Sequence, residues 1–454
     1  MDRIRALFQR REDVQEYQPL NEEPQSLRDS SDQCDDHDVP FSLIEYGIFS
    51  LLGVAMLWAW NMFLAAAPYF QLRFQADDWI LQNFQSTILT VSTLANVGTM
   101  AVLTNIQYSA SYPFRINLAL YINVAVFALL TVSTVTFLDA SPSAYLAFLL
   151  VMVALTSWAA GLIQNGALAF ASSFKRPEYM QAIMAGQGVA GVLPALVQVI
   201  SVLVAPPEDA VPKSDDNPPE KGTAAFIYFL TAVIISVVAL FAFIPLVQRH
   251  NRIIENRMVD QMAASMNSIE EAERAARKVV SMATLCRKLR WLAGGVFMCF
   301  AVTMFFPVFT PKILSVTPPE AAGRLLKPAA FIPLGFLFWN LGDLGGRLVA
   351  LKLPLRDRPA VLFTLSVARV VFLPLYLLCN IHGRGAMVSS DIFYLVVVQL
   401  PFGLTNGWIS SNCMMAAGEW VDESEREASG GFMGLCLVAG LAFGSLLSFT
   451  AAGI

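Results

Sequence analysis

The sequence predicts an all-α polytopic membrane protein whose eleven spanning helices fall into groups of six and five. Three observations carry this. Of 454 residues, 56% are hydrophobic and only 14% are charged, against about 25% charged in an ordinary soluble domain. The apolar residues come in runs near the ~20 that a helix needs to cross a bilayer. With the amino-terminal tail placed inside, twenty-one of the 30 lysines and arginines lie on its side, seven lie opposite and two lie within spans. Such a basic bias orients multi-pass proteins.

The elements follow in order. Residues 1–40 are polar and acidic with few branched apolar side chains, which predicts a disordered cytosolic tail. No apolar core precedes Phe41, so the tail does not read as a signal peptide. Within it, Tyr17-Gln-Pro-Leu20 has the Tyr-x-x-apolar form of a cytosolic sorting signal, a tetrapeptide that also arises by chance. A first bundle, 41–247, takes the runs 42–68, 83–105, 115–138, 143–171, 179–204 and 223–247. The loop 205–222 is rich in Pro and Asp and reads as flexible. A charged central segment, 248–288, carries Ile253, Met258, Met262, Met266 and Ile269 at near-helical spacing. It reads as a cytosolic helix lying along the membrane surface, with a regulatory docking site as the alternative. A second bundle, 289–454, takes 289–310, 328–350, 358–379, 391–414 and 429–450, which leaves the carboxyl terminus outside. Two bundles about a central loop suggest a solute site between halves, near the midplane.

Several function classes drop out. The net charge of −5 resides mostly in the tail and loops and says little about partners. None of the six cysteines falls in an outward-facing loop, and the three histidines are scattered, so neither a disulfide framework nor a metal site is implied. Gly186-Gln187-Gly188-Val189-Ala190-Gly191 satisfies G-x-G-x-x-G but lies inside a span with no strand before it, so close helix packing explains it better than a dinucleotide. There is no phosphate-binding G-x-x-x-x-G-K-[ST], no G-x-S-x-G and no H-E-x-x-H. Neither ATP-driven pumping nor catalysis is indicated, and no cofactor is expected.

The eighth run carries the polar residues that most need a reason. Phe336, Asn340, Asp343 and Arg347 are spaced by four, three and four, so a helix presents them on one face. Each charge in a spanning helix costs roughly 2.5–3.5 kcal/mol on insertion scales, so the face must line a bundle interior or a wet cavity. Gly342 and Gly346 allow a neighbouring helix to approach closely. The acid and arginine could serve as a structural ion pair or as a binding pair. A carboxylate accepts from hydroxyls while a guanidinium donates in a fixed fork, which suits a polyhydroxylated solute. Gln164 sits mid-span as interhelical glue or as an amide able to pair two-point with a nucleobase edge. Trp60, beside Asn61, is an interfacial anchor or a ring face for a planar ligand. Arg369 reads as structural or snorkelling.

Taken together these segments resemble the equilibrative nucleoside transporter family over nearly all of the spans. The matches are Trp60-Asn61, Gln164-Asn-Gly166 running through Pro177-Glu-Tyr179 to Gly186-Gln187-Gly188, and Asn340-x-x-Asp343-x-x-Gly-Arg347. Arg369-Val-Val-Phe-Leu-Pro374 with Cys379-Asn380, and Asn406-Gly407-Trp408, complete the series. The resemblance implies an MFS-like alternating-access fold and passive movement of nucleosides such as adenosine and uridine, sometimes nucleobases. It implies ribose contacts from Asp343 and Arg347, a base contact from Gln164, and a cavity lined by Trp60, Leu57 and Leu64. Phe336 and Asn340 match positions near an outer gate, and Arg115 with Glu427 would form an inner gate. Two departures leave base selectivity open: the family often shows Gln-Gly-Ser at Gln164-Asn165-Gly166, and the second span matches poorly.

The expected partners are therefore nucleosides and membrane lipid, with no nucleic acid polymer. The long tail and Tyr17–Leu20 favour a vacuolar or other endomembrane over the plasma membrane. Asp343 is the one acid deep in a span, and an arginine one turn away argues against its carrying protons. Two alternatives stand beside this reading: a proton-coupled or passive carrier of a sugar or nucleobase, and a membrane receptor that binds a nucleoside without moving it.

Overall fold

The computed structural model describes residues 41–106, 111–136, 138–204, 218–264, 281–318 and 322–448. The tail with its Tyr17–Leu20 tetrapeptide, loop residues 205–217 and the central residues 265–280 lie outside them. The described chain is helical, without a β-strand; one isolated bridge joins Ile313 and Ile381. The long passes are α1 (Leu43–Ala65), α2 (Asp78–Asn105), α3 (Tyr112–Thr136), α4 (Pro142–Ser173), α5 (Pro177–Val204) and α6 (Pro218–Ala264). They continue with α7 (Met282–Thr303), α8 (Pro328–Val349), α9 (Pro359–Leu377), α10 (Leu400–Ala417) and α11 (Arg426–Ser448). Among the described residues, nine helices are long and apolar enough to cross a membrane by length and composition, and α8 and α10 are the two passes that fall short. Those two carry Asn340, Asp343 and Arg347, and Asn406, Ser410, Ser411 and Asn412. The polar residues that dilute their hydropathy belong to the interior of the bundle.

Local chemistry sets the helix starts. Ser42 caps α1, Asp77 caps α2, Ser141 caps α4 ahead of Pro142, and Ser281 caps α7, each by accepting from a first-turn N–H. Four span predictions need correction. α6 runs unbroken from Pro218 to Ala264, so the start of the central segment extends the sixth span and is not a separate surface helix. The seventh span ends at Thr303 and continues as short turns at Phe306–Phe309 and Thr310–Lys312, where Pro307 and Pro311 interrupt hydrogen bonding. α9 tightens to a 3-10 turn at Arg369–Val371. α10 is entered through a π-helix at Phe393–Gln399. Pro401 there has no N–H to offer the preceding turn, which can widen.

Small residues decide which helices meet. A Cβ on Gly53 or Gly186 would lie 2.1 and 1.9 Å from carbonyl oxygens of Ile183 and Ser50, so α1 and α5 touch backbone to backbone. Gly440 and Gly444 do the same for α11 against α7, at Phe297 and Ala301. Gly342 and Gly346 of α8 interlock with Gly403 and Gly407 of α10. The packing pattern repeats with an offset of six: α1–α5 answers to α7–α11, α2–α4 to α8–α10, α5–α8 to α11–α2. α3 also packs on α6, a contact with no counterpart because there is no twelfth helix among the described residues.

Charge gathers at one end of the bundle. Lys175 in the α4–α5 turn pairs with Glu423 before α11 at 2.7 Å, and Lys288 of α7 with Asp422 at 2.8 Å and Glu425 at 2.6 Å. Arg356 pairs with Glu419. At the same end, buried Glu45 of α1 receives Arg249 of α6 at 2.7 Å and the Tyr179 hydroxyl of α5 at 2.5 Å. Glu419 lies outside the spans, and partial desolvation raises its pKa despite Arg356 beside it.

Candidate functional site

A cavity of about 380 Å³ lies between α1, α2, α4 and α5 on one side and α7, α8, α10 and α11 on the other. That volume falls in the ~300–1,000 Å³ range of small-molecule sites. Asp343, Arg347, Gln164, Trp60, Leu57 and Asn340 all line it. The structure thus brings together residues 57 to 347 that sequence spacing could relate only within single helices.

Its polar pole is the buried pair on α8. Arg347 Nε donates to Asp343 Oδ2 at 2.7 Å, the i, i+4 geometry expected for one helix face. Arg347 Nη1 donates to the Met184 carbonyl at 2.7 Å and to Gln187 Oε1 at 3.3 Å, both on α5. Asn406 Nδ2 of α10 donates to the other carboxylate oxygen, Oδ1, at 2.7 Å. Gln181 Nε2 donates to the Arg347 carbonyl at 2.9 Å. Among the described residues Arg347 Nη2 meets no protein acceptor, and each Asp343 oxygen keeps a lone pair. The two N–H donors of Nη2 and two carboxylate acceptors are therefore left to a solute.

Across the cavity stands Gln164, 8% exposed, whose amide has no protein hydrogen-bond partner among the described residues. A buried amide without a partner costs free energy that a ligand can return. Trp60 lines the wall half-buried, and its neighbour Asn61 is spent on the Ala190 carbonyl at 2.7 Å. Asn340 turns its amide to the Phe336 carbonyl at 2.8 Å, and Gly191 leaves room for it: a Cβ there would lie 2.4 Å from Asn340 Oδ1. Gly186, Gly188 and Gly191 each receive a neighbouring helix, which is the packing role the sequence favoured for that motif.

Other expected residues fall elsewhere. Leu64 is 57% exposed and does not line the cavity; it lies two turns beyond Leu57, past the wall. Phe336 packs edge-on against Phe306 at 5.1 Å and joins the apolar seam between α5 and α8 around Val192 and Leu337. Arg115 does not form a direct ion pair with Glu427. Its guanidinium donates to Asn165 Oδ1 at 2.5 Å and to the Ile106 carbonyl at 2.6 Å, tying the end of α2 to α4. Arg369 does not snorkel: it is 2% exposed and fully engaged inside the second group of helices.

Four cavity residues escaped the sequence reading. Gln187 was absorbed into a glycine motif, and Asn406 into a family match, yet both bond the α8 ion pair. A signal existed for both, since a lone amide in an apolar span near a buried charge needs a partner. Trp339 stacks on Phe306 at 4.3 Å, and its buried indole N–H has no partner among the described residues. Asn96 of α2 likewise lines the cavity with its Oδ1 unpartnered.

Paired six-helix-offset packing around one central cavity with a buried ion pair defines a multi-pass membrane carrier. Solved transporters share the fold: a fucose:proton symporter of E. coli at TM-score 0.55 and 11% identity, over 90% of this chain and 93% of that one, and a proton:xylose symporter at 0.57 and 10%, over 89% and 87%. The nucleoside transporter family model matches residues 150–452. The chain belongs to that family, a family of transporters and not of enzymes. Similar proteins include the nucleoside transporter FUN26 of Saccharomyces cerevisiae, 28% identical over 89% of this chain and 83% of its own length. The equilibrative nucleoside transporter 1 of Homo sapiens is 24% identical over 88% and 95%.

Proposed function

We propose that this protein carries nucleosides across a membrane by facilitated diffusion, alternating the access of the described cavity between its two faces. The observation that carries the reading is the split chemistry of that cavity: an ion pair with unspent donors and acceptors on α8, facing an unpartnered amide on α4. Asp343 accepts from ribose hydroxyls, Arg347 Nη2 donates to them, Gln164 meets the base edge, and Trp60 with Leu57 covers the base plane. Asn340 and Phe336 belong to the gate at the end away from the ion pairs. The inner gate falls to Lys175–Glu423 in place of Arg115–Glu427. Residues 41–247 and 289–454 move as the two halves, joined by 248–288. The basic bias and the ion pairs support a cytosolic position for the charged end, and Tyr17–Leu20 with the long tail supports a vacuolar or other endomembrane address.

The mechanism is passive. Among the described residues Asp343 is the one acid lining the cavity and no histidine lines it, so a travelling proton has no second group there to receive it. The deciding experiment is uptake of labelled adenosine and uridine into liposomes holding the purified protein, with and without a pH gradient. Saturable uptake competed by unlabelled nucleoside and indifferent to the gradient is expected. Uptake that requires the gradient would overturn passive carriage, and no uptake by folded protein would overturn carriage itself.

A further inference from the structure

The most completely buried charged side chain is Arg369, on the 3-10 turn of α9 and outside the cavity wall. Among the described residues no carboxylate pairs with it directly. Nη1 donates to the Cys299 carbonyl at 2.5 Å, Nη2 to Thr303 Oγ1 at 3.1 Å and the Phe402 carbonyl at 3.3 Å, and Nε to Thr405 Oγ1 at 3.3 Å. Burying a guanidinium among neutral partners is expensive, and tying three helices together could be done by a neutral side chain at lower cost. The contacts beyond Arg369 supply a reason for the charge.

Thr303 Oγ1, which accepts from Arg369, lies 2.8 Å from Asn406 Oδ1 and 2.9 Å from the Cys299 carbonyl, and its single proton can serve one of them. The Cys299 carbonyl already accepts from Arg369 Nη1, so the Asn406 oxygen is the needier acceptor. Cys299 Sγ points at the same oxygen from 3.3 Å. An asparagine amide has nearly the same shape in either orientation, so its neighbours decide which way it faces. Donors from α7 on its oxygen force its NH₂ toward Asp343 Oδ1, at 2.7 Å. Guanidinium, hydroxyl, amide and carboxylate thus form one chain in which every donor points the same way, from a buried cation to the anion in the cavity. Flipped, Asn406 would set oxygen against oxygen.

We propose that Arg369 is a positioning residue for transport, acting through Thr303 and Asn406 to hold the Asp343 carboxylate in the orientation that receives the ribose hydroxyls. This rests on the ribose reading of Asp343 given above. A merely structural Arg369 would affect folding and would treat all substrates alike. A positioning one affects substrates according to whether they carry the hydroxyl that Asp343 receives.

The test compares KM for adenosine, 2′-deoxyadenosine and 3′-deoxyadenosine in liposomes holding wild type, Arg369→Gln, Thr303→Val or Thr303→Ser. Wild type should prefer adenosine over at least one deoxy analogue by about tenfold, the worth of one hydrogen bond to a charged group. Arg369→Gln and Thr303→Val should reduce that ratio to about twofold, by raising the adenosine KM while the deoxy KM stays nearly constant. Thr303→Ser, which keeps the hydroxyl, should retain the wild-type ratio. A ratio unchanged in Thr303→Val overturns the relay, even if Arg369→Gln fails to reach the membrane. A ratio lost in Thr303→Val but kept in Arg369→Gln also overturns it, because Thr303 would then touch the solute on its own. Absence of discrimination in wild type would instead reject the ribose reading on which the relay depends.

Discussion

At the residue scale the α8 pair does two things at once. Asp343 and Arg347 are each 4% exposed, and their mutual bond at 2.7 Å leaves part of each group unspent. Removing one partner strands the other: Asp343→Ala leaves the buried cations Arg347 and Arg369 without the anion. Hydrogen bonds to charged groups are worth about 1.5–3 kcal/mol, so Asp343→Ala and Arg347→Ala should each lower transport efficiency by roughly 10- to 100-fold. Uptake normalised to protein in the membrane measures it. The double variant should melt higher than either single variant, because an unpaired buried charge costs more than a missing pair. Gln164→Leu removes an amide with no protein partner, so it should leave stability nearly unchanged, while competition by different bases shifts by up to about tenfold. Equal loss for every base would assign Gln164 to packing. Asp343, Arg347 and Gln164 were legible in the sequence because a polar side chain in an apolar run stands out alone. Gln187 and Asn406 stood out in the same way, but the charge each one serves lies on another helix, and no spacing within one span encodes that pairing.

Elements were legible where burial follows a long apolar run, and less so where a local break serves the interior. The limits of α3, α4, α5 and α8 fall within a few residues of the apolar runs. The 3-10 turn of α9 and the π-helix before α10 did not announce themselves, since both keep the apolar composition of a helix. The 3-10 turn carries Arg369, so the irregularity coincides with the buried cation. Glycine spacing in α8 foretold a close neighbour but not its identity. The structure answers with α10, where Gly403 and Gly407 face Trp339 and Asp343. A Cβ on Gly407 would sit 1.9 Å from the Asp343 carbonyl oxygen and 2.9 Å from the Arg347 amide nitrogen. Gly407→Ala must therefore push α10 away from the ion pair, and overpacking of this kind costs about 1–3 kcal/mol. Loss of thermal stability together with loss of transport is expected. Gly345 lies on the same helix, and a Cβ added there would have nothing within 4 Å, so Gly345→Ala should match or exceed wild-type stability by about 0.5–1 kcal/mol. If both substitutions behaved alike, helix propensity would govern α8, and its fit to α10 would not.

At the scale of the molecule, the six-helix offset makes two similar halves meet along α5–α8 and α11–α2. A carrier built this way needs contacts at each end that are strong enough to close it and weak enough to release. At the charged end Gly430 and Gly434 of α11 seat against Leu168 of α4, and Met100 of α2 closes on Gly434. Lys175 then reaches from the α4–α5 turn to Glu423, joining one half to the other. Its backbone is held at φ 56°, the left-handed region that costs a lysine roughly 1–2 kcal/mol, which fixes the direction in which the side chain leaves the turn. Lys175 is 17% exposed and Glu423 65%, and a pair so open to solvent contributes about 0–1 kcal/mol. That is the right size for a latch: loss of the pair should shift the balance between open and closed ends by up to about fivefold without unfolding the protein. Met415 lies in the small pocket beneath the two turns and is nearly closed off from solvent. A cysteine placed there should react with a water-soluble maleimide up to about fivefold faster in Lys175→Glu or Glu423→Lys than in wild type. The charge-swapped double variant should return to the wild-type rate, since it restores the pair with its polarity reversed. Equal rates in all four proteins would mean that the helix seats at Gly430 and Gly434 close this end unaided, and that the ion pair follows the closure without stabilising it.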